Sequence, residues 1–125
     1  MKTPIETREA PAAIGPYSQA IRAGGAVYLS GQIGLDPASG QLVEGIDAQI
    51  DRVFRNLAAV AAASGLSLEH AVRMTVYLVD LGHFGKVNDA MAKFLKAPYP
   101  ARVSVGVASL PRGALVEVDC ILHAG

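Results

Sequence analysis

Along Ala101 to Val107 the chain alternates with period two: Val103, Val105 and Val107 share one face, and Arg102, Ser104 and Gly106 share the other. Such alternation predicts a half-buried β-strand, with the valines toward the core and Arg102 projecting from the other face. Ala114 to His123 alternates likewise, with Val116, Val118, Cys120 and Leu122 against Leu115, Glu117, Asp119 and Ile121. A three-to-four spacing instead runs through Asp47 to Ser64, where Ile50, Val53, Phe54, Leu57, Val60 and Ala61 form one stripe. That spacing predicts an amphipathic helix. Asp47 can cap its start, and Gly65 can end it as a left-handed residue. A second helix is predicted over Gly82 to Lys96, with Phe84, Val87, Met91, Phe94 and Leu95 on one side. Pro98 and Pro100 close it.

The remaining segments are shorter. Tyr17 to Arg22 and Ala26 to Ser30 read as strands of a hairpin turning at Ala23-Gly24-Gly25. Val72 to Val79 is rich in β-formers and reads as a strand. Gln41 to Val43 suits a short strand after the Asp36–Gly40 turn, and Ser67 to Ala71 a single turn. Residues 1 to 15 are expected to be extended and Pro-rich. The order is strands, helix, strand, helix, two strands, without repeat or boundary, so residues 1–125 are expected to form one domain. Two helices on one face of a mixed β-sheet make an α+β layered fold.

The other face of such a sheet needs cover. Hydrophobic residues make up 51% of the 125 and only 18% are charged; mean hydropathy is +0.32. That is much apolar surface for a small domain, and a neighbouring subunit is expected to bury part of it. Eleven basic residues balance eleven acidic ones, and the basic ones are dispersed. No nucleic-acid partner is therefore expected, since phosphate binding needs clustered Lys and Arg. No membrane span is expected either, because no apolar run approaches ~20 residues. The N-terminus lacks a basic-then-apolar signal, and the single Cys120 forms no internal disulfide, which together suit the cytoplasm. Cys120 falls on a valine and leucine face and reads as a buried, inert thiol. His70, His83 and His123 lie far apart without ligand-spaced partners, so no metal site is expected.

Arg102 carries the candidate chemistry. A guanidinium flanked by Ser104 and Gly106 is shaped to hold a carboxylate through two parallel hydrogen bonds; the alternative is a surface or interface salt bridge. If the last two strands pair as neighbours, Glu117 faces Arg102 across them. That reads either as a structural ion pair or as a clamp beside a carboxylate that orients water. Asn88 borders an apolar helix stripe and needs partners if buried. Tyr17 stands at the start of the first hairpin strand and Ser30-Gly31 at the end of the second. Glycine there lets a ligand approach closely, and Tyr17 can donate its phenol or simply pack. Nucleotide-binding and nucleophile-elbow motifs are absent.

Together these segments resemble the RidA family of reactive-intermediate (enamine/imine) deaminases. The resemblance rests on Ile14-Gly15-Pro16-Tyr17-Ser18-Gln19-Ala20, Val27 to Ile33, Phe84 to Asn88, Pro100-Ala101-Arg102, Leu110-Pro111 and Val116-Glu117-Val118. It implies a chorismate-mutase-like homotrimer with three sites in the clefts between subunits. It implies that Arg102 grips the carboxylate of a 2-imino acid and Glu117 positions water. Tyr17, Ser30, Gly31 and Asn88 would shape the pocket, with backbone groups near Gly31 and Ser104 completing it. The implied reaction is cofactor-free hydrolysis of 2-aminoacrylate, as its imine tautomer, to pyruvate and ammonia. Such imines arise from pyridoxal-phosphate dehydratases. Many bacterial members carry cysteine where this chain has Ser104, so regulation through that thiol is not implied here. The competing readings are a non-catalytic 2-keto-acid-binding regulator, a ribonuclease or translation inhibitor, and a chaperone-like holder of unfolded chains.

Overall fold

The computed structural model describes all 125 residues. Six strands form one mixed sheet: β1 (Lys2–Ile5), β2 (Ala20–Ala23), β3 (Ala26–Gln32), β4 (Ala71–Leu78), β5 (Ala101–Gly106) and β6 (Val116–His123). Two helices, α1 (Ile46–Ala63) and α2 (Phe84–Phe94), cover one face. The sheet order is β1-β2-β3-β6-β4-β5, and only the β4–β5 pair is parallel. The α+β layered fold expected from the pattern is the fold observed.

The helix stripe forms the core. Val53, Phe54, Leu57, Val60 and Ala61 are fully buried against Val27, Met74, Val76, Leu78, Val116, Val118 and Leu122 of the sheet. Phe54 stacks on Phe94 of α2 at 5.5 Å between ring centres. Gly65 ends α1 with φ 84°, as its position predicted. Asp47 does not cap the start: Gly45 holds the cap position, and Asp47 sits in the first turn, 2.9 Å from Lys86 Nζ. No helix is long and apolar enough to cross a membrane.

Within the stretch expected to be extended, residues 2–5 form an edge strand, and Pro4 fits there because an edge strand can spare one donor. Two local expectations are corrected. Gln41 to Val43 makes no strand; a single bridge joins Leu42 to Leu35. The first hairpin strand begins at Ala20, so Tyr17 lies ahead of it in a turn closed by its own N–H on Gly15 O at 2.8 Å.

The largest correction concerns β5. It pairs with β4, not with β6, and β4 separates the two. Arg102 lies opposite Met74, Ser104 opposite Val76, and Gly106 opposite Leu78. Met74, Val76 and Leu78 are fully buried under the helices, so Arg102, Ser104 and Gly106 face the helices. Val103 and Val105 face the uncovered side with Thr75 and Tyr77. Glu117 lies opposite Tyr77 on β6, also on the uncovered side. The cross-strand pairing of Arg102 with Glu117 is not formed.

Candidate active site

The sequence-predicted residues gather into two half-sites. One is built on α2 and β5. The Arg102 guanidinium lies 4.6 Å from the centre of the Phe84 ring. Its Nη1 donates to Asn88 Oδ1 at 2.5 Å and to Met91 Sδ at 3.4 Å. Phe84, Asn88 and Met91 recur at four and three along α2, so one helix face supplies all three supports. A ring quadrupole under the cation and an amide beside it fix the fork without neutralising it. No carboxylate lies within ion-pair distance of Arg102. The groove in front of it, about 460 Å³, is lined by Asn88, Met91, Ala92, Tyr99, Pro100 and Arg102. Ser104, two residues on, buries its hydroxyl without a hydrogen-bond partner.

The other half-site lies at the open end of the β2–β3 hairpin. A cavity of about 410 Å³ is lined there by Tyr17, Ser30, Gly31 and Glu117, among others. Ser30 Oγ donates to Ser18 O at 2.6 Å, and Ser30 N–H to Gln19 O at 3.0 Å. These bonds tie the end of β3 to the segment carrying Tyr17. Gly31 leaves room for the carboxylate: a Cβ there would stand 3.0 Å from Glu117 Cδ and closer still to Oε2. Burial raises the Glu117 carboxyl above its ordinary value, and the charge of Asp119 adds to this. Asp119 in turn accepts from Tyr77 Oη at 3.0 Å. A half-buried carboxylate of raised basicity beside an open cavity is equipped to take a proton from water.

A larger cleft, about 650 Å³, is lined by Pro4 to Arg8 and by Ala10, Ala12 and Ala13, and shares Ala12, Tyr17 and Gln19 with this cavity. It holds neither Arg102 nor Glu117, and size alone does not make it the site.

Three buried amides, not anticipated from the sequence, hold the loops around Glu117. Gln19 Nε2 donates to Thr7 O at 3.0 Å and to Pro11 O at 2.8 Å, and Gln19 Oε1 accepts from Thr7 N–H at 2.7 Å. Asn56 Nδ2 donates to Leu35 O at 2.9 Å. Gln49 Oε1 accepts from Leu115 N–H at 2.8 Å, two residues before Glu117. Gln49 and Asn56 are seven residues apart and border the apolar stripe of α1. Polar side chains at such positions are the signal that could have found them. The supporting roles of Phe84 and Met91 were hidden because both read as core residues.

Arg102 and Glu117 stay apart within one protomer. Three residues of β4 separate their positions along the sheet, roughly 10 Å, and two strand spacings separate them across it, again roughly 10 Å. They also face opposite sides.

Fold and site together describe a small α+β protein with an unpaired guanidinium at one sheet edge and a basic carboxylate in a cavity at the other face. Residues 7–124 match the model of the family described as endoribonuclease L-PSP. The chain belongs to that family, the RidA family of the sequence resemblance. It is 51% identical over 120 residues to Protein DfrA of Myxococcus xanthus, covering 94% of this chain and 92% of that one. It is 43% identical to the mouse protein named 2-iminobutanoate/2-iminopropanoate deaminase, covering 97% and 90% respectively. RidA from the Antarctic bacterium Psychrobacter superposes with a TM-score of 0.95 at 46% identity, over 97% of this chain and 98% of that one.

Proposed function

We propose that this chain is a 2-iminobutanoate/2-iminopropanoate deaminase that works as a homotrimer, each site completed by two copies. The observation that carries the reading is the division of the two half-sites. An Arg102 fork free of any carboxylate and a basic Glu117 are each half of an imine-hydrolysing centre, and neither suffices alone. The uncovered sheet face supports a subunit contact: Tyr28 and Val103 stand 48% and 39% exposed on it, where a lone domain gains nothing from apolar groups in water. The deaminase name of the mouse relative supports the activity.

In this reading Arg102 of one copy binds the α-carboxylate of a 2-imino acid through its fork, held in place by Asn88, Met91 and Phe84. The imine carbon then lies over Glu117 of a neighbouring copy, beside Gly31. Glu117 takes a proton from water as the water oxygen bonds to that carbon. The proton passes to nitrogen, the C–N bond breaks, ammonia leaves and a 2-keto acid remains. The iminium carbon is already electrophilic, so positioning supplies much of the acceleration. Tyr17 and Ser30 wall the cavity, and the main chain at Gly31 and Ser104 lies next to the reacting groups. The single buried Cys120 suits a reducing cytoplasm.

The test couples the protein to a serine/threonine dehydratase, which releases 2-aminoacrylate, and follows pyruvate. Wild type accelerates pyruvate formation and Arg102→Ala does not. A wild type that binds pyruvate but accelerates nothing would instead mark a regulator that senses 2-keto acids. The family's ribonuclease description finds no support in the zero net charge of this chain.

A further inference from the structure

The cavity beside Glu117 has a cation at its mouth that the hydrolysis does not use. Arg112 lines that cavity together with Glu117 and Tyr17. Its backbone is left-handed, at φ 63° and ψ 16°, a region that glycine enters freely and arginine does not. Gly113 follows at φ 72°. The turn from Leu110 to Ala114 would therefore close more easily with glycine at 112, yet it carries a guanidinium. Its Nη2 donates to Gly40 O at 3.3 Å.

Arg112 has no carboxylate partner within ion-pair distance. Glu117, on the same cavity, is affected by burial and by Asp119, not by Arg112, so the two do not neutralise each other. The same cavity is lined by the apolar Ile14, Ile33, Leu35 and Pro111 as well as by Gln19, Ser30 and Gln32. One cavity thus carries a basic carboxylate, apolar lining and an unpaired cation.

We propose that Arg112 is a specificity-determining residue that binds a second, side-chain carboxylate, making imines of dicarboxylic amino acids substrates of this site. The proposal rests on the deaminase reading. The α-carboxylate sits on Arg102 of one copy, the imine carbon over Glu117, and the methylenes of the side chain along the apolar wall. The distal carboxylate then reaches Arg112. The reaction is unchanged: water adds to the imine carbon, the C–N bond breaks, and ammonia and a 2-keto diacid are released.

The test compares 2-iminoglutarate with 2-iminobutanoate. Each is generated in place by an amino-acid oxidase, and its disappearance is followed by trapping the remaining imine with semicarbazide. Wild type is expected to hydrolyse both. Arg112→Gly keeps the left-handed turn and removes the cation. It should lower the ratio of kcat/KM for 2-iminoglutarate over that for 2-iminobutanoate by roughly tenfold, as expected for one lost charge-assisted contact. Arg112→Lys should restore part of the ratio, and raised salt should shrink it in wild type but not in the glycine variant. A ratio unmoved by Arg112→Gly, or a wild type active on 2-iminobutanoate alone, would overturn the proposal. A wild type inactive on both imines would remove the deaminase reading itself.

Discussion

Arg102 and Glu117 project from opposite faces of one sheet, on the two strands that flank β4. Each is set up by its own neighbourhood. Arg102 rests on the Phe84 ring and against Asn88, while Glu117 lies over Gly31. A small substrate touching both must lie between copies of the chain.

In the proposed site the clamp depends on the planar fork, not on positive charge alone. Arg102→Ala should reduce kcat/KM for imine hydrolysis by ~100-fold or more, since charge-assisted hydrogen bonds of this kind are worth about 1.5–3 kcal/mol each. Arg102→Lys should also lose most activity, because an ammonium cannot bond a carboxylate in two parallel contacts. The urea midpoint of each variant should stay close to that of wild type, as Arg102 makes no ion pair. Near-normal turnover by either variant would contradict the assignment.

In the proposed reaction Glu117 acts as the carboxylate, so activity should fall as pH drops through its raised pKa. The acid limb of kcat/KM should therefore lie above the usual glutamate value, and Glu117→Gln should abolish turnover at every pH. The stability sign is opposite. A carboxyl raised in the fold binds protons more tightly there than in the unfolded chain. Its penalty is absent below the unfolded pKa and complete above the folded one. Glu117→Gln should then be at least as stable as wild type at pH 7 in chemical denaturation. An inactive variant that is also markedly destabilised would show a structural role instead.

Gly31 matters for the space it leaves. Alanine there would meet the Glu117 carboxylate, and the carboxylate must turn away. Gly31→Ala should lower kcat far more than it raises KM, with the circular dichroism spectrum and melting curve little changed. An unaltered kcat would show that Glu117 can move without consequence.

Asn56 is wholly buried and holds the Ile33–Leu35 loop through two carbonyls. Asn56→Ala should cost about 1–3 kcal/mol in denaturant titrations, the usual penalty for leaving buried acceptors unpaired. The same loop lines the Glu117 cavity, so activity should fall with it. Cys120, by contrast, has its thiol pushed up to about 12 by burial, with a smaller contribution from Asp119. It should react with disulfide reagents only after unfolding.

Much of this fold was legible in the chain because its signals are local. The stripe on α1, the Gly24-Gly25 turn and the left-handed Gly65 each follow from residues close in sequence. The strand order is not local. Nothing near Arg102 says that β6 inserts between β3 and β4, or that β5 runs parallel at the edge. The alternation of β5 separates two faces correctly, but the valines suggested the core when they face the open side. An edge strand at a subunit contact can be apolar outward. The candidate site residues were therefore found one by one, while their division into halves needed the sheet. Arg112 escaped notice because its left-handed backbone is unusual for arginine.

The most direct test of the central claim mixes two inactive proteins. Arg102→Ala and Glu117→Gln, each carrying a different tag, are unfolded, combined in equal amounts and refolded. In a site shared between copies, the first variant can supply an intact Glu117 half and the second an intact Arg102 half. Random assembly of trimers should regenerate about a quarter of the wild-type sites over the whole population, all of them in oligomers bearing both tags, where imine hydrolysis should recover to about a third of the wild-type level. Mixed oligomers no more active than their parents, or no mixed oligomers at all, would contradict a site built from two copies.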